Sequence, residues 1–269
     1  MDVIAILAGI IVGVGLLAWL GLQIRPEPFA PFPLPSSAPE LVPLAQGLPA
    51  PVERFYRRLY GEDVPLITSA VISGRGRLRF NGIRFPARFR FTHITGQDYR
   101  HYIEVTFLGL PLLKVNEYFL DGRARMELPF GVSEGPNVDQ GANLALWAEA
   151  VWMPAVWITD PQARWEATER DGAELVVPFA ENEERFTAHF DAESGMLRSL
   201  QSLRYKGAGD ESKTPWLNEV LEWGSVKGQT VPVETAVTWS DEGSPWAVFR
   251  TEEVIYNADV QEYVRARGP

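Results

Sequence analysis

The first constraint on this chain is a run of 22 residues, Val3 to Ile24, that carries no charge. It is built of Ile, Leu, Val, Ala and Gly with Trp19 near its end, and about 20 such residues suffice to cross the hydrocarbon core of a bilayer. A cleaved secretory signal normally opens with a basic stretch ahead of a shorter apolar run. This chain opens Met1-Asp2 and has no basic residue before Arg25. Residues 1–25 are therefore expected to form a single uncleaved membrane anchor. With one Arg after the span and none before it, the positive-inside rule has little to act on. The folded part is expected outside the cytoplasm, where stalked, anchored domains are commonest.

Residues 26–51 hold 9 prolines and little charge. Proline removes the backbone donor and fixes φ, which excludes a helix or a central strand here and leaves a polyproline-like linker. Fully extended, it would reach on the order of 80 Å. It acts as a spacer or packs back along the domain. Residues 52–269 remain for a single domain.

The 269 residues include no cysteine, which excludes disulfides, thiolate metal sites and cysteine nucleophiles. A formal charge of -10 argues against nucleic acid as the main partner. That charge is unevenly spread: residues 51–128 carry 13 basic and 8 acidic side chains, residues 129–269 carry 11 and 24.

Val52 to Tyr60 places Val52, Phe55, Tyr56, Leu59 and Tyr60 on one helical face and Arg54, Arg57 and Arg58 on the other, with Gly61 as a stop. Thereafter the period is mostly two. Asn81-Gly82, Asp121-Gly122 and Asp171-Gly172 are type I′ hairpin signals between alternating runs. Roughly eleven or twelve strands are expected. Val138 to Met153 interrupts them with helix formers and ends at Pro154. The fold class is mainly β (α+β): one strongly curved antiparallel sheet, or half-barrel, with two covering helices, plus the N-terminal transmembrane helix.

The run DQGANLALWAEAVWMPAVW, with Trp165, Arg204-Tyr205, Pro215-Trp216 and the late TWSDEGSPW, resembles a bacterial family of uncharacterised membrane-anchored proteins, a domain of unknown function. That resemblance assigns no residue a role. The order of elements is also loosely similar to the lipoprotein-carrier superfamily. The similarity implies a curved sheet plugged by helices, with a concavity for acyl chains.

Gly131-Val132-Ser133-Glu134-Gly135 matches a nucleophile-elbow pattern, but Pro129 and Pro136 bracket it and the surrounding strands read as antiparallel. His189 alternates out of phase with Phe186, Ala188 and Phe190, so it faces solvent and the segment is expected to be a plain loop. His93, His101 and His189 lie on separate strands with no paired spacing, so no metal site, no cofactor and no catalytic residue is expected. Two carboxylates break the local pattern. The Asp121-Gly122 hairpin sets Glu117 opposite Met126 on the apolar face, and Glu149 sits inside a helix with almost no polar face. The ordinary reading pairs each with an arginine.

The Asn81-Gly82 hairpin opposes Arg79 to Arg84 and Arg75 to Arg88, and Arg77 and Arg90 extend that basic face. It requires acidic neighbours, of which Glu104 is one, or an external anion. Eight of nine tryptophans fall between Trp147 and Trp246. Trp147, Trp152, Trp157 and Trp165, with Glu117 and Glu149, are the expected ligand-binding residues, although buried tryptophan is as often plain core.

The leading expectation is a membrane-anchored, non-enzymatic module holding a hydrophobic or lipid-like ligand in a sheet concavity. A cell-envelope interaction protein docking an acidic partner through the arginine hairpin is the alternative. An enzyme using Glu117 or Glu149 as acid or base stands third.

Overall fold

The computed structural model describes residues 3–35, 37–168 and 172–268, with side chains from residue 6 onward. Helix α1 (Val3–Gln23) is long and apolar enough to cross a bilayer, with a mean hydropathy of 2.1 over Ile6–Gln23. A signal sequence passes the same test of length and composition. After the proline-rich segment, β1 (Leu41–Pro43) pairs with β2 (Asp63–Pro65) in a two-stranded sheet flanking α2 (Ala50–Leu59). Pro51 sits in the first turn of α2, where its missing N–H costs nothing. Val52, Phe55 and Tyr56 are fully buried, and burial of each such side chain stabilises by roughly 1.5–3 kcal/mol. The Tyr56 hydroxyl donates to the Pro154 carbonyl at 2.7 Å, which fixes the helix against the chain that crosses the sheet.

All remaining strands form one antiparallel sheet of 13. The first meander comprises β3 (Ser69–Phe80), β4 (Ile83–Ile94), β5 (Asp98–Phe107), β6 (Leu110–Leu120), β7 (Arg123–Leu128) and β8 (Gly131–Ser133). The second comprises β9 (Arg164–Ala167), β10 (Ala173–Phe179), β11 (Asn182–Phe190), β12 (Leu197–Arg204), β13 (Thr214–Val226), β14 (Gln229–Trp239) and β15 (Ala247–Tyr256). Pairing of β3 with β15 joins the two, so β8 and β9 are the outer edges of an open sheet. Gly74 is required at that seam: a Cβ there would lie 2.1 Å from the Arg250 carbonyl oxygen.

The expected eleven or twelve strands fall short, because β1, β2, β8 and β9 are only three or four residues long and too short to show an alternation. Two of the three expected turns are as read: Asn81-Gly82 and Asp121-Gly122 have positive φ at both positions. Asp171 lies outside the described residues. Leu108-Gly109 and Lys227-Gly228 form further turns of the same kind.

The topology dictates where the helices lie. Chain leaving β8 must cross the whole sheet to enter β9, and it does so as α3 (Pro136–Ala148), a 3-10 turn (Glu149–Trp152) and α4 (Val156–Thr159). Every residue of α3 from Asp139 to Ala148 is buried, so its polar side chains need partners. Asp139 accepts from the Ala124 amide of β7 at 2.6 Å and from Arg123 at 3.0 Å. Asn143 donates to the Pro178 carbonyl of β10 at 2.8 Å, and Gln140 to the Leu203 carbonyl of β12 at 3.0 Å. One helix is thereby tied to both meanders.

The proline-rich segment packs back on the opposite face of the sheet. Phe29 lies under Arg88, 4.3 Å from guanidinium to ring centroid, and Arg88 and Arg90 donate to the carbonyls of Glu27 and Ala30. Residues 26–35 therefore act as a cover and not as an extended spacer.

Candidate functional site

Between the inner face of the sheet and the α3–3-10 segment lies a cavity of about 280 Å³. Trp152, Trp216, Trp239 and Trp246 supply much of its apolar wall, with Phe91 and Phe249. Of the four tryptophans expected to bind a ligand, only Trp152 lines it. Trp147 and Trp157 are core side chains, the Trp157 indole donating to the Trp147 carbonyl at 2.9 Å, and Trp165 packs edge-on against Trp157. Helical segments bury aromatics against the nearest strands, whereas this cavity borrows its aromatics from β13, β14 and the turn before β15. The visible signals were Pro215-Trp216 and TWSDEGSPW.

Glu117 and Glu149 both reach this wall, and the arginine partners expected for them are replaced by histidines. Register explains the first contact. On β4, β5 and β6, Phe91, His101 and Glu117 stand side by side, and His93 is the next inward residue along β4. His101 Nε2 is 2.6 Å from Glu149 Oε2, and its Nδ1 is 3.5 Å from Glu117. Tyr99, stacked on His101, donates its hydroxyl to Glu117 at 2.5 Å. His93 Nε2 approaches Glu149 Oε2 to 3.1 Å, yet the ring is not directed for a hydrogen bond and both its nitrogens remain without one. The expectation of three scattered histidines therefore fails for His93 and His101. His189 is exposed on β11, as its parity predicts.

The electrostatics of this cluster follow from burial and neighbours. Burial opposes a charge on His101, but Glu149 and Glu117 outweigh it and hold the pKa up at about 9. Burial likewise opposes ionisation of Glu149, but the adjacent His101 and His93 bring it down to about 2. His93 is pushed below the usual histidine value because burial outweighs its neighbours, which leaves it neutral at pH 7. His101 and Glu149 thus form a buried ion pair beside a neutral imidazole.

Arg204 completes the wall. Its guanidinium lies over Trp216 at 4.4 Å and Trp239 at 5.7 Å, its Nε is buried without a hydrogen-bond partner, and among the described residues no carboxylate pairs with it. Burial lowers its pKa from the usual arginine value, with Glu117, Tyr99 and Glu149 acting in the opposite direction. Gly141 makes room for it: a Cβ on that helical residue would stand 2.9 Å from Arg204 Nε. In the sequence Arg204 stands out only as part of the Arg204-Tyr205 pair.

The basic hairpin divides into two kinds of arginine. Arg75 pairs with Glu252 at 2.6 Å, Arg79 with Glu242 at 2.6 Å and Arg88 with Glu104 at 2.6 Å, while Arg90 is covered by the proline-rich segment. Arg77 and Arg84 are exposed and have no carboxylate partner among the described residues. The G-x-S-x-G segment is an edge strand followed by a helix, not the plain loop expected. Ser133 stands opposite Met126, and Glu134 pairs with Arg125.

A family model, described as a family of unknown function (DUF6544), matches residues 41–251. The chain belongs to this DUF6544 family. The match spans α2, both meanders and the cavity, and excludes α1. No curated protein matches the sequence. Among solved structures, a LolA-superfamily protein from Nitrosomonas europaea aligns over 83% of this chain and 99% of its own, at 8% identity and a TM-score of 0.47. A DUF1329 family protein from Desulfovibrio piger aligns over 80% and 95%, at 11% identity and a TM-score of 0.42. A putative outer-membrane lipoprotein-sorting protein domain from Vibrio parahaemolyticus aligns over 80% and 95%, at 8% identity and a TM-score of 0.42.

Proposed function

We propose that this DUF6544 chain is a membrane-anchored, non-enzymatic module that binds an anionic amphiphile in its cavity. The head group, a carboxylate or phosphate, sits on Arg204 and the hydrocarbon lies against the tryptophan wall. The observation that carries this reading is an arginine without a carboxylate partner in an aromatic, concave site. Arg204 is half-buried and has no carboxylate partner among the described residues, and a bound anion supplies that counter-charge. A pocket of this kind, apolar with a few convergent polar groups, is the usual form of a small-molecule site.

We infer further that the sheet wraps around α3. Strands β7 and β10 stand ten places apart in the sheet, about 48 Å if it were flat, yet both bond to one helix roughly 20 Å long. The two contacts together support a curved sheet.

One end of the sheet faces the membrane. The Leu108 amide donates to the Gly21 carbonyl at the end of α1 at 3.0 Å, which seats the β5–β6 turn against the exit of the apolar helix. At this turn Leu108, Leu110 and Leu112 are exposed, and the β3–β4 turn of the same sheet end presents Phe80 and Ile83. Exposed apolar tips beside a spanning helix suit the bilayer surface, and Arg77 and Arg84 suit its anionic head groups. The cavity residues Lys206, Trp239 and Trp246 belong to strand ends and connections at this same sheet end. With Arg77 and Arg84 the hairpin arginines that lack a partner among the described residues, docking of an acidic protein through the whole hairpin loses its basis.

A fluorescence titration of the full-length chain in detergent tests the proposal. Dibromostearate is expected to quench the cavity tryptophans saturably, lysophosphatidate to compete, and Arg204→Gln to weaken both. Quenching that never saturates, or that is the same in Arg204→Gln, would count against it.

A further inference from the structure

We propose that His93, His101 and Glu149 form a binding site for one divalent first-row transition metal ion, with Glu117 as the group that orients His101. Nothing in the amphiphile reading requires this, and it stands on the side chains of β4, β5, β6 and the 3-10 turn alone.

Three observations carry it. The three ligand atoms, one from each residue, lie within 4.8 Å of one another. In a tetrahedral zinc site, bonds of about 2.0–2.2 Å place ligand atoms roughly 3.3 Å apart. The His93–Glu149 separation of 3.1 Å is close to this, and the His101–Glu149 separation of 2.6 Å has to open by several tenths of an ångström. His93 is fully buried and neither of its ring nitrogens has a hydrogen-bond partner, a costly arrangement that a metal bond relieves at Nε2 and leaves at Nδ1. Finally, His101 presents Nε2 to the cluster while its Nδ1 faces Glu117, which Tyr99 holds in turn. A carboxylate on the far nitrogen of a ligating histidine fixes its tautomer and orientation, and this second layer is a regular part of histidine metal sites.

The donor set argues for the class of ion. Two imidazoles and one carboxylate suit zinc and its first-row neighbours and not calcium or magnesium, which take oxygen ligands. Both His101 and Glu149 line the cavity, so the remaining coordination positions open onto it. Binding requires neutral imidazoles, and His101 gives up its proton as the ion enters.

The test uses the untagged full-length chain in detergent, stripped with a chelator and dialysed, with Zn²⁺ or Co²⁺ as the only additive. One equivalent of Co²⁺ is expected to give the strong visible bands of a four- or five-coordinate site, and Zn²⁺ to displace it. Glu149→Gln and His101→Asn are expected to lose saturable binding with an unchanged far-ultraviolet circular dichroism spectrum. Glu117→Gln is expected to bind roughly 10- to 100-fold more weakly. Absence of saturable uptake by the wild-type chain overturns the proposal, as does equal uptake by Glu149→Gln. Should the variants fail to fold, X-ray absorption of the wild-type zinc complex decides. Two imidazoles in the first shell support the site, and a shell without imidazole overturns it.

Discussion

The outer face of β4, β5 and β6 buries more polar side chains than the inner face, and the two faces treat them differently. On the outer face Arg88 meets Glu104, Tyr102 donates to the same carboxylate at 2.7 Å, and Arg100 donates to Asn116 at 2.9 Å while lying over Tyr263 at 4.7 Å. The proline-rich segment and the C-terminal tail close over this layer and supply carbonyl acceptors to Arg90 and Arg100, while Arg100 Nε, Thr92 Oγ1 and the Tyr263 hydroxyl stay without a hydrogen-bond partner. On the inner side His93 has no hydrogen bond, and Arg204, reaching the cavity wall from β12, has no carboxylate partner among the described residues. Buried polar groups that are mutually satisfied hold a fold together. Buried polar groups left open on a cavity wall mark the place where something binds.

Breaking the outer layer should cost the most stability. Glu104→Ala leaves the Arg88 guanidinium without its carboxylate and is expected to destabilise the chain by about 3–5 kcal/mol in chemical denaturation, with amphiphile binding per folded molecule unchanged. The reciprocal change, Arg204→Gln, is expected to alter stability by less than about 1 kcal/mol and to weaken binding roughly 10- to 100-fold, the worth of a charged hydrogen bond. If the two variants behaved alike, the distinction between the faces would fail.

The inner ion pair also gives the stability a pH dependence. His101 has a folded pKa of about 9, above its unfolded value of 6.5, so its contribution is complete below pH 6.5 and is lost as pH rises through 9. Glu149 has the opposite sense: its contribution is present above pH 4.5 and is lost as pH falls through about 2. In metal-free protein, stability is expected to decline by up to on the order of 3 kcal/mol between pH 6.5 and 9, and His101→Gln to flatten that decline. A decline of equal size in the variant would place its origin elsewhere. The smallest effect is expected from Gly141→Ala, which nudges Arg204 and should weaken binding about two- to five-fold while helix propensity improves.

How much of this was legible in the sequence differs by face for a physical reason. The outer pairings follow from one hairpin: Asn81-Gly82 fixes Arg79 opposite Arg84 and Arg75 opposite Arg88, as read. Glu117 was likewise placed inside by the Asp121-Gly122 turn. The contact of His101 with Glu117 was not readable. The register of β5 against β6 shifts between Val105 and Thr106, and a count carried straight from the Leu108-Gly109 turn would set His101 opposite Asn116. Glu149 meets them only because chain leaving one sheet edge must cross to the other, a consequence of the β3–β15 pairing. Prolines mark residues 26–51 as irregular, yet β1 (Leu41–Pro43) forms there and α2 begins at Ala50, and nothing local shows that Phe29 lies under Arg88.

The most direct test of the central claim is photo-crosslinking of the full-length chain, in detergent, with a palmitate that carries a diazirine near the end of its chain, followed by peptide mapping. The account predicts labels on β12, β13 and β14, around Leu200, Trp216 and Val237, competed away by unlabelled palmitate and reduced in Arg204→Gln. Labels confined to α1 and the Leu108–Leu112 turn, unaffected by competitor, would mean that the chain meets lipid only at its anchor and that the cavity is not a lipid site.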